Sequence, residues 1–330
     1  MNGLPYMGGK RKLAHKIVGY IMNYNPKIKY VYDLFGGGGA ISFEFLKRKR
    51  VQVHYNELNP SIAALMVKLQ REGVTKDMYE WVSRETFFQH VHDKDWFGGY
   101  LQTCWSFGNG QRSYLFGKHI ENDKRLIHEF LVKGDIDSDF PIPLTQEDIH
   151  YILSLNGVHK RRLKLYECAG KLQRRLDLQQ LERLEQLERL QQLERLPQLH
   201  RLGITNLDYR AVEINTPVEE TIIYCDPPYK NTKAYKEGGF NHNEFYDWIK
   251  ASRYKIYVSE YALPQDFTCV YEMEHRSSLS ATNNSKKTVE RLFCNKAEGN
   301  TKKGWICKFK SNCKNRTIYW WYYGCDKKNK

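Results

Sequence analysis

Four consecutive glycines, Gly36 to Gly39, separate a β-rich run, Val31-Tyr-Asp-Leu-Phe35, from a helix-like segment, Ala40 to Leu46. Glycine tolerates the backbone of a tight turn and lets the chain approach a ligand where a Cβ would clash. Val51-Gln-Val-His-Tyr55 alternates as a second strand. Asn59 and Pro60 then supply an N-cap and first helical residue for Ser61 to Gln70. Strand, glycine turn, helix, strand is a βαβ unit, the element of a parallel, doubly wound sheet. Upstream, Lys12 to Tyr24 carries Leu13, Ile17, Val18 and Ile21 at helical spacing. The pattern resumes late: Gly203 to Tyr209 and Glu220 to Cys225 read as buried strands, Phe245 to Lys250 as part of a helix, and Lys255 to Ser259 as a strand.

At roughly 150 residues per domain, a 330-residue chain holds about two folding units, or one core with a large insertion. Hydrophobic residues at 41% and aromatics at 14% argue against a disordered chain. No run approaches the ~18 apolar residues of a membrane span, and the start, MNGLPYMGGKRK, lacks the apolar region of a secretory signal. The eight cysteines are scattered, and Cys307, Cys313 and Cys325 lack paired zinc-site spacing. A reducing cytoplasm and no metal are the expectation. The net charge of +14 points to an anionic partner, nucleic acid first and an acidic membrane surface second.

Residues 1–74 and 203–298 read as the α/β core, and 75–170, charged and aromatic with weak periodicity, as a helical insertion. Residues 171–202 are a low-complexity tract in which LER recurs at Leu181, Leu187 and Leu193, with leucine at every third position. Three residues advance about 300° on a helix, so these leucines wind round the cylinder instead of forming a coiled-coil seam. Pro197 interrupts any single long helix. The expectation is a partly helical spacer with no chemistry. Residues 299–330 form a basic, aromatic tail, whose nine Lys/Arg against Asp326 give +8, more than half of the chain's excess.

Two features carry chemistry. Glu57 lies twenty residues after Gly37 at the end of the next strand, where an acid can accept from ribose hydroxyls. The pair indicates a nucleoside-containing cofactor, a dinucleotide or S-adenosylmethionine, with a ligand-free glycine turn as the plain alternative. The second is Asp226-Pro227-Pro228-Tyr229, directly after the apolar strand Thr221 to Cys225. Two prolines end the ladder in a rigid turn at the sheet's carboxyl edge, where doubly wound folds bind ligands. The Asp226 carboxylate and the Pro227 carbonyl offer two acceptors for the protons of an exocyclic amine, which frees its lone pair for attack. Tyr229 would stack on an extruded base, a contact worth about 1–3 kcal/mol.

With these motifs the chain resembles the D12 class, Dam-like, of N6-adenine DNA methyltransferases. Pro5-Tyr6-Met7-Gly8-Gly9-Lys10 is similar to the family's N-terminal PYxGGK motif, and Asp33-Leu-Phe-Gly-Gly37 to its glycine motif. Asn56-Glu57 resembles its cofactor acid, Asn206-Leu-Asp208-Tyr209 its D-(F/Y) segment, and Asp226 to Tyr229 its DPPY. The resemblance implies a Rossmann-like S-adenosylmethionine-dependent fold with a helical target-recognition insertion. It implies a cofactor site made by Tyr6, Lys10, Asp33, Phe35, Gly36, Gly37, Glu57, Asp208, Tyr209 and Asp226. Asp226, Pro227, Pro228 and Tyr229 would be catalytic, and Asp208 with Tyr209 would flank the cofactor's adenine. Without the resemblance, Lys10 reads as a solvated lysine of the run Lys10-Arg-Lys12.

Cys104-Trp-Ser-Phe-Gly-Asn-Gly-Gln-Arg-Ser-Tyr-Leu-Phe-Gly117 resembles the family's segment near the target base. Its glycines, aromatics and arginine suit a loop entering duplex DNA, or equally a lid over the site. Asn109, Arg112 and Tyr114 are candidate DNA contacts, and Lys160 and Arg161 candidate phosphate contacts. The expected protein is a monomeric or weakly dimeric enzyme of a prokaryotic cytoplasm, or encoded by a phage. It would bind double-stranded DNA and no membrane, and methylate adenine N6 in a specific sequence, GATC-like. Cytosine N4, RNA, or DNA binding without turnover are the alternatives.

Overall fold

The computed structural model describes residues 3–6, 8–171, 184–194, 199–229, 239–276 and 287–296. Among these, β1 (Tyr30–Asp33), β2 (Gln52–Asn56), β3 (Leu202–Thr205), β4 (Thr221–Cys225), β5 (Lys255–Glu260), β6 (Thr268–Arg276) and β7 (Lys287–Cys294) form one seven-stranded sheet. Its order is β3-β2-β1-β4-β5-β7-β6. The first five strands pair in parallel, while β7 lies antiparallel between β5 and β6.

Alternation along the strands fills two faces. Val31, Ile222, Tyr224 and Tyr257 pack on one side with α1 (Ala14–Tyr24), α2 (Ala40–Leu46) and α3 (Pro60–Glu72). Tyr32, Ile223, Cys225, Ile256 and Val258 face the other side, against Phe245 and Ile249 of a later helix, His242–Ala251. Burying such side chains stabilises each by about 1.5–3 kcal/mol, which is why central strands here read as continuous apolar runs. The predicted start of α3 is as expected: the Asn59 side chain accepts from the Ser61 amide at 3.0 Å, with Pro60 in the first turn.

The segment Gly203 to Tyr209 departs from the buried strand expected. β3 ends at Thr205 and is the outermost strand, with only Leu202 buried. Asp208 then caps a short 3-10 turn, Tyr209–Ala211, by accepting from the Arg210 amide. An aspartate's capacity to bond nearby amides competes with strand pairing here.

Between α3 and β3 the chain is helical: α4 (Arg84–His90), α5 (Trp96–Tyr100), α6 (Glu121–Lys133), α7 (Gln146–Ser154) and α8 (Val158–Lys171). A π-helical turn, Leu101–Trp105, continues α5. The tract read as a spacer contributes a packed helix, α9 (Glu185–Glu194). Leu184 and Leu187 join a core of α6, α7 and α8, whereas Leu190 and Leu193 join the core beneath the sheet. Leucines nine residues apart point about 180° apart on a helix, so the winding that precludes a zipper seam suits a helix wedged between two cores. Pro197, residues 172–183 and the tail 299–330 lie outside the described residues. The final helix, His242–Ala251, is α10.

Candidate active site

The parallel strands deliver four acids to one edge of the sheet. Asp33 ends β1, Glu57 follows β2, Asp208 follows β3 and Asp226 follows β4. Asn56, 2% exposed, ties three of these loops together: its amide donates to the carbonyls of Leu34 at 3.1 Å and Leu207 at 2.9 Å, and its oxygen accepts from the Leu207 amide at 3.1 Å. The carboxyl edge is thus a rigid platform set by one buried side chain.

Asp226 forms an ion pair with Lys10, whose Nζ lies 2.8 Å from its Oδ1 and 3.7 Å from Oε1 of Glu290. The same Nζ sits 4.5 Å from the centre of the Tyr229 ring. The Tyr229 hydroxyl donates to Glu290, and its ring meets Tyr261 edge-on at 4.7 Å. His242 at the start of α10 donates from Nε2 to the Pro228 carbonyl at 3.0 Å and so pins the proline turn. The turn Asp226–Tyr229 is therefore held from three directions: the N-terminal segment, β7 and α10.

The electrostatics follow from burial. Burial raises the Asp226 carboxyl to about 6; Lys10 opposes the shift and Glu290 adds to it. Burial raises Asp33 to about 7, opposed by the Ser42 hydroxyl, which donates to its Oδ2 at 2.7 Å, and assisted by the charges of Asp226 and Glu57. Burial also raises Glu57, although its carboxylate accepts from the amides of Gly37 at 2.7 Å and Asn59 at 2.9 Å. For Lys10, burial would lower the ammonium's pKa, but Asp226 and Glu290 outweigh it and hold the group charged. The recess is acidic, and its carboxylates feel one another.

The glycine loop is occupied by the protein itself. A Cβ on Gly36 would lie 2.2 Å from the Tyr55 ring, and one on Gly38 would lie 2.8 Å from the Leu4 carbonyl. Gly37 and Gly39 have φ of +47° and +71°. The Leu4 amide donates to the Gly38 carbonyl at 2.7 Å, so the segment bearing Tyr6 lies across the loop. The glycines thus serve close backbone packing, a role the sequence reading did not include. The loop is further braced by Tyr55, whose hydroxyl donates to the Gly37 carbonyl at 2.7 Å.

Phe35 and Tyr209 pack at 5.4 Å on the opposite face, each with its edge or face against Phe245. Asp208 is more exposed than the other acids. It pairs with Arg210 at 2.8 Å, and that hydrogen bond lowers its pKa.

Several expectations need correction. The alternative reading of Lys10 as a solvated lysine fails: the side chain is buried and its Nζ pairs with an oxygen of Asp226. Tyr114 is 4% exposed, donates to the Val82 carbonyl at 2.6 Å and packs beside Trp105, so it is core and no DNA contact. Arg161 is half-buried and donates to the carbonyls of Leu131, Leu153 and Leu155, so its guanidinium serves helix ends where a phosphate contact was expected. Its position just inside α8 explains the change, since helix ends leave carbonyls that a guanidinium can serve. Arg112 and Lys160 are exposed, and the Asn109 side chain lies outside the described residues, as does Met7.

Sequence reasoning missed Glu290 as a site residue, although an acid inside the β-rich run Val289-Glu-Arg-Leu-Phe293 was a usable signal. It also missed Leu58 and Leu207, exposed to 67% and 43% beside Glu57 and Asp208. The Asn206 amide donates to the carbonyls of Glu57 at 2.6 Å and Leu58 at 3.0 Å, which holds the two strand ends together. Among the described residues no cluster of three His, Cys, Asp or Glu could hold a metal ion.

The curated proteins contain no match to this chain. A family model does match: it begins at Tyr6, takes in Lys10, the glycine loop and Glu57, and ends in α6. Over residues 6–127 the chain is similar to the family of D12 class N6 adenine-specific DNA methyltransferases.

Proposed function

We propose that the chain transfers the methyl group of S-adenosylmethionine to N6 of an adenine extruded from a specific double-stranded DNA sequence, GATC-like, in a prokaryotic cytoplasm. The family match supports adenine-specific DNA methylation in general. One observation carries the cofactor and the reaction: Asp33, Glu57, Asp226 and Glu290 converge on one sheet edge with Lys10 as their near cation. Mutual repulsion of buried carboxylates is relieved by a bound cation. Asp33 Oδ1 has no hydrogen-bond partner among the described residues, and a carboxylate such as Glu57 retains acceptor capacity beyond two amides. These residues fit S-adenosylmethionine, a cationic nucleoside with hydroxyls and an ammonium group. Asp33 and Glu57 would hold its polar groups and Leu58 with Leu207 would cover its purine.

When bound, the cofactor supplies a methyl group already activated on a positively charged sulfur. The chain's own contribution is at the amine. Ionised Asp226 and the Pro227 carbonyl would accept hydrogen bonds from its two N–H groups, which turns the lone pair outwards; as the N–C bond forms and the S–C bond breaks, the one proton in excess on nitrogen leaves to solvent. Holding both partners in line provides most of the remaining rate, by proximity. Lys10 must leave Asp226 for that contact to form. Tyr229, fixed by Glu290 and Tyr261, presents its ring to the extruded base, and extrusion costs a few kcal/mol. Arg112, Lys160 and the exposed Phe107 of the loop face solvent where a duplex could reach them.

The test is methyl transfer from labelled S-adenosylmethionine to duplex DNA by the full chain, with the product digested to nucleosides. N6-methyl-2′-deoxyadenosine is expected, and its loss in Asp226→Ala. Full activity of Asp226→Ala, or label found in cytosine or RNA, would overturn the reading. Single-molecule sequencing of the product gives the target site.

A further inference from the structure

The π-helical turn Leu101–Trp105 ends in backbone that its own ladder cannot satisfy. Thr103, Cys104 and Ser106 are all buried, at 1%, 0% and 0% exposure. Their carbonyls are served from the leucine repeat. Nη1 of Arg189 in α9 lies 2.8 Å from the Ser106 oxygen, 3.1 Å from that of Cys104 and 3.3 Å from that of Thr103. Arg189 is itself 8% exposed. A buried guanidinium at a set of orphan carbonyls fixes the position of that backbone.

Ser106 is also the root of a closed loop. It bridges Tyr114 across the loop, and the Phe107 amide donates to the Ser113 carbonyl at 2.8 Å. Inside this ring Gly108 and Gln111 both have positive φ, +59° and +61°, the latter unusual for a side-chain-bearing residue. The Tyr114 side of the root is anchored to Val82, and the Ser106 side to Arg189. One turn further along α9, Gln192 accepts from Arg11, the neighbour of the lysine on Asp226.

We infer that Arg189 is a positioning residue for the loop Ser106–Tyr114, and through it a determinant of which DNA sequence is methylated. The inference rests on the proposed function. On this view the repeat is a strut that sets the loop's distance and angle from the proline turn. A displaced loop loses contacts that distinguish the correct site more than contacts shared by all duplexes.

The experiment compares the full-length chain with Arg189→Lys and Arg189→Met. The target duplex is the one identified by sequencing wild-type product, and each base pair of it is varied singly. In Arg189→Met, kcat/KM on the target should fall about tenfold or more, and the ratio of target to single-mismatch rates should shrink by about fivefold or more. S-adenosylmethionine affinity should change less than about twofold, and Arg189→Lys should recover part of the ratio. An unchanged ratio, with all rates reduced by the same factor, would show a merely structural residue and overturn the inference. Amide exchange is the independent arm. Phe107 and Gly110 amides should exchange faster in Arg189→Lys while those of β4 do not, and unchanged protection would also overturn it. A wild-type chain that methylates no duplex would refute the proposed function, while the exchange arm would still judge the role of Arg189 in holding the loop.

Discussion

Asp33 offers a direct reading of what the acidic recess costs the fold. It is 1% exposed and held at about 7, whereas an unfolded aspartate ionises near 3.8. The folded state therefore binds this proton more tightly than the unfolded chain does. Stability from this group is present at low pH and is lost as pH rises from about 4 through about 7. Integrating between the two values gives a loss on the order of 1–2 kcal/mol by pH 5 and about 4 kcal/mol by pH 8. Asp33→Asn removes the titration and keeps an acceptor for the Ser42 hydroxyl. Effects of the substitution that do not depend on pH cancel when its stability relative to wild type is compared at two pH values. The relative stability of Asp33→Asn should be about 2–3 kcal/mol greater at pH 8 than at pH 5, read from urea melts of the unliganded chains. The same variant should bind S-adenosylmethionine more weakly, because the charge that burdens the fold is one the cofactor would neutralise. An equal difference at both pH values would refute the reasoning, since the carboxyl would then titrate alike in the folded and unfolded chains.

Other outcomes follow from the same network. If ionised Asp226 receives the amine, methyl transfer should have an acid limb between pH 6 and 7, where Asp226 and Asp33 titrate as a coupled set, and pH–rate profiles read it directly. Lys10→Met removes the cation that opposes the rise of Asp226, so the limb in kcat/KM, which reports the free enzyme, should move to higher pH; an unmoved limb would show that the pair does not set the ionisation of Asp226 in the free enzyme. Leu58→Ser, which removes apolar cover without adding charge, should weaken cofactor binding about severalfold and leave the melting temperature nearly unchanged, because the side chain is 67% exposed; calorimetry measures the first and thermal melts the second. His128 is buried and lowered to about 4; it donates from Nε2 to Tyr79 and faces Gln186 of the repeat through Nδ1. The unfolded chain takes up this proton first, so stability should fall by roughly 3 kcal/mol as pH drops from about 6.5 to 4, and His128→Gln should lack that part of the acid destabilisation.

The regions legible in the sequence are those where one local rule dominates. Asn59 and Pro60 mark a helix start that needs no tertiary information, and the apolar runs of β1, β4 and β5 are buried whichever way the sheet is ordered. The proline turn after β4 was legible for the same reason. What failed needed knowledge of neighbours. Tyr114 and Arg161 look like ligand-binding residues in a charged, aromatic stretch, and only the approach of Val82 and of three helix-end carbonyls turns them into structural residues. The repeat is the sharpest case. Leucine at every third position makes no seam on one partner, and it becomes sensible only when a helix has cores on two opposite sides. Glu290 was obscured because its meaning comes from Lys10 and Tyr229, each far away in sequence.

The charge of the chain divides in a way that bears on how it would bind its two ligands. The whole sequence carries +14, with +8 of it in residues 299–330, yet the carboxyl edge of the sheet gathers Asp33, Glu57, Asp226 and Glu290 around Lys10. A polyanion is drawn to the exterior and is repelled by the recess, while a small cation is favoured in the recess and discouraged outside it. DNA alone should therefore leave Asp226 paired with Lys10, because a phosphate backbone gains nothing by entering an acidic pocket. A bound cation lowers the repulsion among the carboxylates and reduces the hold of Glu290 and Asp226 on the lysine. If this charge balance governs assembly, the cation should enter before the base: duplex DNA should bind more tightly, and Asp226 should part from Lys10, only once S-adenosylmethionine is present, and equal DNA affinity with and without it would refute the argument.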